Sequence, residues 1–274
     1  MTAAASLDLA TVKAHQQATW ASGDYAEIAT LIVPVAERLS EAADLRAGST
    51  VLDVASGSGN AAISAARLGG VVTGIDFVPT LLERARERAR AERLRVDFRL
   101  GDAEELAFPD GSFDAVVSVF GSMFAPDHRR AAAELVRVTR PGGTIALASW
   151  TPEGFIGSMF KTVASYVQPP PGLASPLLWG TEGHLADLFG SDVAWVHHRR
   201  TFTFRFTSAE ALVETFASYY GPTLKALETA GSARGALEHD LRELARSWNR
   251  LEQPGAIAVP SSYLESVGLR GVSR

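Results

Sequence analysis

At 274 residues, 46% of them hydrophobic, the chain can build one α/β domain with an added subdomain and a large core. A formal net charge of −5 gives no reason to expect a polyanionic partner, and the absence of cysteine removes disulfides, thiolate metal sites and cysteine nucleophiles. No stretch approaches the ~18 apolar residues of a membrane span. The start, MTAAASLDLATVKAHQQ, reads as an amphipathic helix rather than a signal sequence, so a cytoplasmic location is expected.

From about residue 50 to 150, apolar runs alternate with helical patterns, the signal for a parallel sheet with crossover helices. The strands fall at Val51–Val54, Val71–Ile75, Val96–Leu100, Phe113–Val119 and Thr144–Trp150. The helices between them run roughly over Asn60–Leu68, Pro79–Arg93 and Pro126–Val138, with Pro79 and Pro126 near a first turn, where proline is tolerated. Pro141-Gly142-Gly143 is placed as the turn into the fifth strand. Beyond Trp150 the rhythm breaks: short helices near Gly157–Tyr166 and Thr181–Phe189 flank a proline-rich segment, Pro169 to Gly172. A long alternating strand, Val193–Phe206, then leads to helices at Ser208–Ala230 and Ala236–Arg250 and a last strand at Ser261–Val267. Residues 1–47 and 151–255 are the natural places for a lid and a substrate pocket.

The segment Val51-Leu52-Asp53-Val54-Ala55-Ser56-Gly57-Ser58-Gly59-Asn60 carries the strongest functional signal. An acid sits within a buried strand, and a glycine-spaced turn opens onto a helix. Burying a carboxylate is costly without a partner. Gly57 and Gly59 let the turn bring its N–H groups against a ligand at a helix start. Gly57, Gly59 and Ala62 also fit a dinucleotide fingerprint, but an acid beside a pyrophosphate would repel it. Asp53 instead suits a ligand with an ammonium or sulfonium group. S-adenosylmethionine has both and is favoured over NAD.

Four segments, VLDVASGSGN, VVTGIDFVPTLLERAR, GDAEELAFPDGSFDAVVSVFGS and ELVRVTRPGGTIAL, resemble the class I S-adenosylmethionine-dependent methyltransferases in order and spacing over about residues 49–150. The branch resembled most is that of the ubiquinone/menaquinone-biosynthesis C-methyltransferases. The resemblance implies a Rossmann-like seven-stranded sheet, mostly parallel with one antiparallel strand, with N-terminal helices and an α-helical insertion near the C-terminal strands. It implies a helical lid at 1–47, a cofactor-binding core at 48–150, and substrate-side helices with the last two strands at 151–274. Ala55 stands where the family has its first glycine, a departure shared with the quinone-methylating branch.

The cofactor residues so implied are Asp53, Ala55, Ser56, Gly57 and Ser58 around the first turn, then Asp76, Phe77, Asp102, Ala103 and Val119. Asp76, ending the second strand, can accept both ribose hydroxyls; its plainer reading is a cap for the next helix. Asp102 can accept the adenine amine, or simply shape a Gly-Asp turn. Phe77 would lie against the adenine or ribose, and Val119 would meet the methionine moiety. Trp20 and Tyr25 form an aromatic cluster that closes over the cofactor or anchors a helix, and Met123 and Phe124 are expected on the acceptor wall.

The expected reaction is in-line methyl transfer to a small aromatic or apolar acceptor on oxygen, carbon or nitrogen, in which alignment supplies most of the acceleration. His15, His128, His184, His197, His198 and Tyr25 are the candidates for a general base, with none singled out; alternation sends His197 and His198 to opposite faces. No nucleic acid, membrane span or metal is expected as a partner, and a homodimer is compatible with the sequence. A cofactor-binding relative with non-methyl chemistry and an NAD-dependent oxidoreductase stand as alternatives.

Overall fold

The computed structural model describes residues 8–252 and 255–271; the first seven residues of the expected N-terminal helix lie outside them. Three helices come first, α1 (Leu9–Trp20), α2 (Tyr25–Leu31) and α3 (Val33–Ala42). The carboxylates of Asp8 and Asp24 accept first-turn N–H groups of α1 and α2, donors a helix otherwise leaves open. α3 buries Val35, Ala36 and Leu39, whereas α1 buries only Val12. The amphipathic expectation for α1 is therefore corrected: apart from Val12 and the terminal Trp20, which packs on Tyr25, Phe124 and Tyr220, its hold on the body is polar, as described below.

Strands β1 (Thr50–Val54), β2 (Val71–Asp76), β3 (Val96–Leu100), β4 (Phe113–Val119), β5 (Thr139–Trp150), β6 (Val193–Phe206) and β7 (Ile257–Arg270) form a seven-stranded sheet in the order β3-β2-β1-β4-β5-β7-β6. β7 runs antiparallel to β5 and β6, and the other pairs are parallel. Val51, Leu52 and Val54 are fully buried, as a strand covered on both faces requires. Helices α4 (Asn60–Arg67) and α5 (Pro79–Ala91) carry the chain outward from β1 to β3, and α6 (His128–Val138) carries it the other way, from β4 to β5. Right-handed crossovers in opposite directions put α4 and α5 on one face and α6 on the other. The strand order reverses between β1 and β4, and a crevice opens there at the carboxyl ends.

The remaining helices are α7 (Phe155–Tyr166), α8 (Glu182–Phe189), α9 (Ala209–Tyr219), α10 (Gly221–Thr229) and α11 (Arg234–Ser247). The single helix expected over Ser208–Ala230 breaks at Tyr220-Gly221-Pro222, where Tyr220 is extended and Pro222 opens α10; a side chain at Gly221 would stand 2.0 Å from the Thr19 carbonyl oxygen of α1. Pro141-Gly142-Gly143 is no separate turn: β5 begins at Thr139, and the pairing with β4 shifts register between Phe113 and Ala115 to absorb it. α6 starts at His128, capped by the Asp127 carboxylate on the Arg130 N–H, rather than at Pro126. No helix among the described residues is long and apolar enough to cross a membrane.

Candidate active site

The carboxyl ends of β1, β2, β3 and β4 open onto a cleft of about 850 Å³, counted to its mouth. Ala55, Ser56, Gly57, Ser58, Asp76, Phe77, Asp102, Ala103, Val119, Trp20, Tyr25 and Phe124 all line it, so one wall gathers nearly every residue singled out from the sequence. The turn after β1 runs through left-handed backbone at Ala55 (φ 54), Gly57 (φ 52) and Gly59 (φ 87). For Ala55 that conformation costs about 1–2 kcal/mol. The turn is tied down by the Ser56 N–H donating to the Ile75 carbonyl at 2.8 Å, while the Ser56 hydroxyl is buried and has no partner among the described residues.

Asp53 and Met123 do not line the cleft. Asp53 is 1% exposed, and its carboxylate accepts the Ala62 N–H of α4 at 2.8 Å. The partner that a buried acid requires is thus the start of a helix behind the turn. Burial pushes the Asp53 carboxyl up to about 8, against the pull of that bond. Met123 is fully buried in a short 3₁₀ turn, Ser122–Phe124, that leaves Phe124 on the cleft and packs Met123 into the core.

Asp76 ends β2 with one carboxylate oxygen accepting the Gly57 N–H at 2.8 Å and the other accepting the Val78 N–H at 2.9 Å. It therefore braces the glycine turn and the entry to α5 while facing the cleft, and burial pushes it up to about 6. Asp102 accepts the Glu104 N–H at 2.9 Å through one oxygen and the Lys13 ammonium at 2.6 Å through the other. Lys13 also reaches Glu104 at 2.6 Å. Burial opposes its charge, but these two carboxylates prevail and its pKa is raised. Next to it on α1, Gln17 donates to the Phe77 carbonyl. The first helix is thus held across the cleft by polar bonds to the ends of β2 and β3.

Several contributors were not read from the sequence. Arg88 of α5 donates to the Ser58 carbonyl and the Asn60 side-chain oxygen, both at 2.7 Å, and Asn60 donates to the Ala29 carbonyl of α2 at 2.8 Å. This chain links the glycine turn to the helix bearing Tyr25. Lys13 is one of only three lysines, the one signal that could have marked it. Phe120, following β4, holds a left-handed backbone (φ 54), a rare state for a bulky residue. Its ring stacks on Trp150 at 3.8 Å between centroids, and a side chain at the neighbouring Gly121 would meet the Ala55 carbonyl oxygen at 2.3 Å.

Beside the cleft, sharing Trp20, Tyr25, Ile32, Phe120 and Phe124 with it, lies a tightly packed aromatic chamber with room for little more than a water molecule, completed by Ile28, Trp150, Ile156, Phe204, Phe216 and Tyr220. None of the five histidines named as candidates for a base lines the cleft or the chamber, whereas Tyr25 lines both. His128 and His184 pair with each other (Nδ1 to Nε2, 2.9 Å), and burial pushes His128 down to about 4. His197 meets the Ser266 hydroxyl at 2.8 Å, whereas His198 lies on a groove over the sheet.

Such a fold, with strand-end acids and a glycine turn around one cleft, defines a nucleoside-cofactor enzyme of the class I type. A family model described as a methyltransferase domain matches residues 52–147. The uncharacterised protein Rv1405c of Mycobacterium tuberculosis is 40% identical over 87% of this chain and 89% of its own length. The demethylmenaquinone methyltransferase of Deinococcus radiodurans is 41% identical over 43% of this chain and 51% of its own. Among solved structures, the YcgJ protein of Bacillus subtilis superposes with a TM-score of 0.60 at 19% identity, over 87% of this chain and 98% of that one. The cyclase SpnF does so with 0.57 at 23%, over 88% and 81%. The chain belongs to the class I S-adenosylmethionine-dependent methyltransferase family, and S-adenosylmethionine is its cofactor.

Proposed function

We propose that this chain transfers a methyl group to a small aromatic or apolar acceptor in the cytoplasm by in-line displacement, with the cofactor in the cleft and the acceptor against its aromatic wall. One observation carries the reading: three adjacent strand ends present a glycine turn, Asp76 and Asp102 to a cleft walled opposite by Trp20, Tyr25 and Phe124. The donor set fits the cofactor. Each Asp76 oxygen is engaged by one backbone N–H, so both retain a lone pair for a ribose hydroxyl.

Bound S-adenosylmethionine supplies a methyl group already activated on a sulfonium. The chain's own residues hold and align. Asp76 takes the ribose, Asp102 the adenine amine, and Phe77 flanks the base. The backbone of the turn at Ala55–Ser58 and of Val119 cradles the amino-acid end. Asp53 acts from behind by fixing α4 against the turn. Residues 1–47 serve as the lid, with Trp20 and Tyr25 excluding water, and residues 151–274 serve as the acceptor side. Proximity and orientation of this kind contribute ~7–11 kcal/mol to such a displacement.

Titration calorimetry with S-adenosylmethionine, S-adenosylhomocysteine and NAD tests the reading; binding of the first two and not the third is expected, and binding of NAD alone would sink it. Turnover of an acceptor without the mass gain of one methyl group would establish non-methyl chemistry instead.

A further inference from the structure

Lys13 is the one cation among the described residues that line the cleft. It stands on α1, outside the four segments that carry the family resemblance, and its side chain is largely covered. Its ammonium meets Asp102 and Glu104, both at 2.6 Å. The two acids hold it differently. Asp102 faces the cleft, whereas Glu104 is 2% exposed and accepts the Asp127 N–H at 2.7 Å through its other oxygen. Lys13 is the only described ion-pair partner of Glu104. Leaving a buried carboxylate without its cation is strongly destabilising. Lys13 therefore stays on Glu104 whether the cleft is empty or full, and its ammonium is fixed beside Asp102.

A lysine ammonium carries three N–H donors. Asp102 and Glu104 take two, and the third has no partner among the described residues. The Asp102 oxygen that meets Lys13 keeps a second lone pair, so it can accept an amine without releasing the lysine. The pair thus sets an acceptor and a donor 2.6 Å apart on one wall. Adenine offers the complement along one edge: an exocyclic amine flanked on either side by a ring nitrogen with a free lone pair.

We propose that Lys13 is a further cofactor-binding residue: its third N–H donates to one of the two ring nitrogens that flank the adenine amine, so that α1 reads the base as well as covering it. This rests on the methyltransferase reading above and on Asp102 taking the amine. A base seated against Asp102 covers the ammonium and strips its water, and a donor so enclosed needs an acceptor. The amine is itself a donor and cannot serve. The flanking nitrogens are the acceptors within reach of a group held 2.6 Å from the amine's own partner.

The test is titration calorimetry on the intact protein with S-adenosylhomocysteine and three analogues in which CH replaces one ring nitrogen, at position 1, 3 or 7. Positions 1 and 7 flank the amine; position 3 lies on the far side of the base. For the wild type, the 1-deaza or the 7-deaza analogue is expected to bind about fivefold more weakly than the parent, as loss of one hydrogen bond to a partly exposed cation implies. Lys13→Met should weaken the parent by a similar factor and bind that same analogue as well as the parent, within about twofold. The 3-deaza analogue should keep one ratio to the parent in both proteins. Should Lys13→Met not fold, because Glu104 is left without its cation, Lys13→Met/Glu104→Gln removes both charges and serves in its place. A wild type indifferent to both flanking nitrogens would overturn the proposal. So would a variant that loses the same factor for the parent and for every analogue, since that marks a lysine that only pins the lid. No binding of the parent at all overturns the methyltransferase reading instead.

Discussion

The cleft and the chamber share five side chains, yet they are built by opposite means. The cleft is polar and braced: Asp76 accepts two backbone N–H groups, Asp102 an N–H and an ammonium, and Asp53 a helix-start N–H behind the wall. The chamber has two free phenols and otherwise rings and aliphatic side chains. A buried polar group must have its partner specified, so the cleft is written into a few strand-end positions close together in the chain. An apolar space asks only for volume and shape, so its residues come from scattered elements and leave no motif.

That contrast breaks if loss of a polar brace leaves cofactor binding untouched. The largest effect is expected from Asp76→Ala: cofactor affinity falls roughly 100-fold or more in calorimetry, as loss of two charge-assisted bonds implies. Gly121→Ala probes the shared partition. Its added methyl would meet the Ala55 carbonyl oxygen at 2.3 Å, so a destabilisation of roughly 1–3 kcal/mol should appear in denaturant unfolding, with cofactor affinity lowered. Arg88→Met should cost cofactor affinity about tenfold, through the freed Ser58 carbonyl and Asn60, and leave the chamber unchanged.

Asp53→Asn sharpens the comparison through pH. An acid whose folded pKa is raised keeps its proton longer in the native state, so its contribution is full below about pH 4. The contribution is lost as pH rises through about 8. The melting temperature of the unliganded wild type should therefore fall relative to the Asn variant across that window, and parallel curves would refute the buried carboxyl. The smallest effect belongs to Lys13→Ala. Its partly exposed ion pair with Asp102 is worth little on its own, so a few-fold faster cofactor release and quicker proteolysis within α1 are expected.

The sequence made the sheet legible because parallel strands buried on both faces show as apolar runs and their crossovers as helical periods; Val193–Phe206 has the bounds of β6. The breaks that tertiary contact imposes were not legible. Tyr220-Gly221-Pro222 looked continuous with a helix until the approach of α1 excluded a side chain there. At the site, Asp76 and Asp102 could be placed from their strand ends, but whether an acid faces ligand or supports a turn depends on where its carboxylate points. Asp53 was read as the partner of a cationic headgroup and Met123 as acceptor wall, and both side chains lie behind the cleft's lining. Lys13, Gln17 and Arg88 act across long separations that a single chain does not announce.

The wall that Trp20 gives to both spaces has a bearing on how the protein assembles. Its edge-on neighbour Tyr220 lies two hundred positions along the chain, so bringing them together means closing a very long loop before any contact rewards it. The glycine turn and strands β1 to β4 use far nearer partners. Docking of α1 on α10 is then expected late in folding, and a chain lacking that contact would hold its strand-end acids in place with the aromatic wall unbuilt.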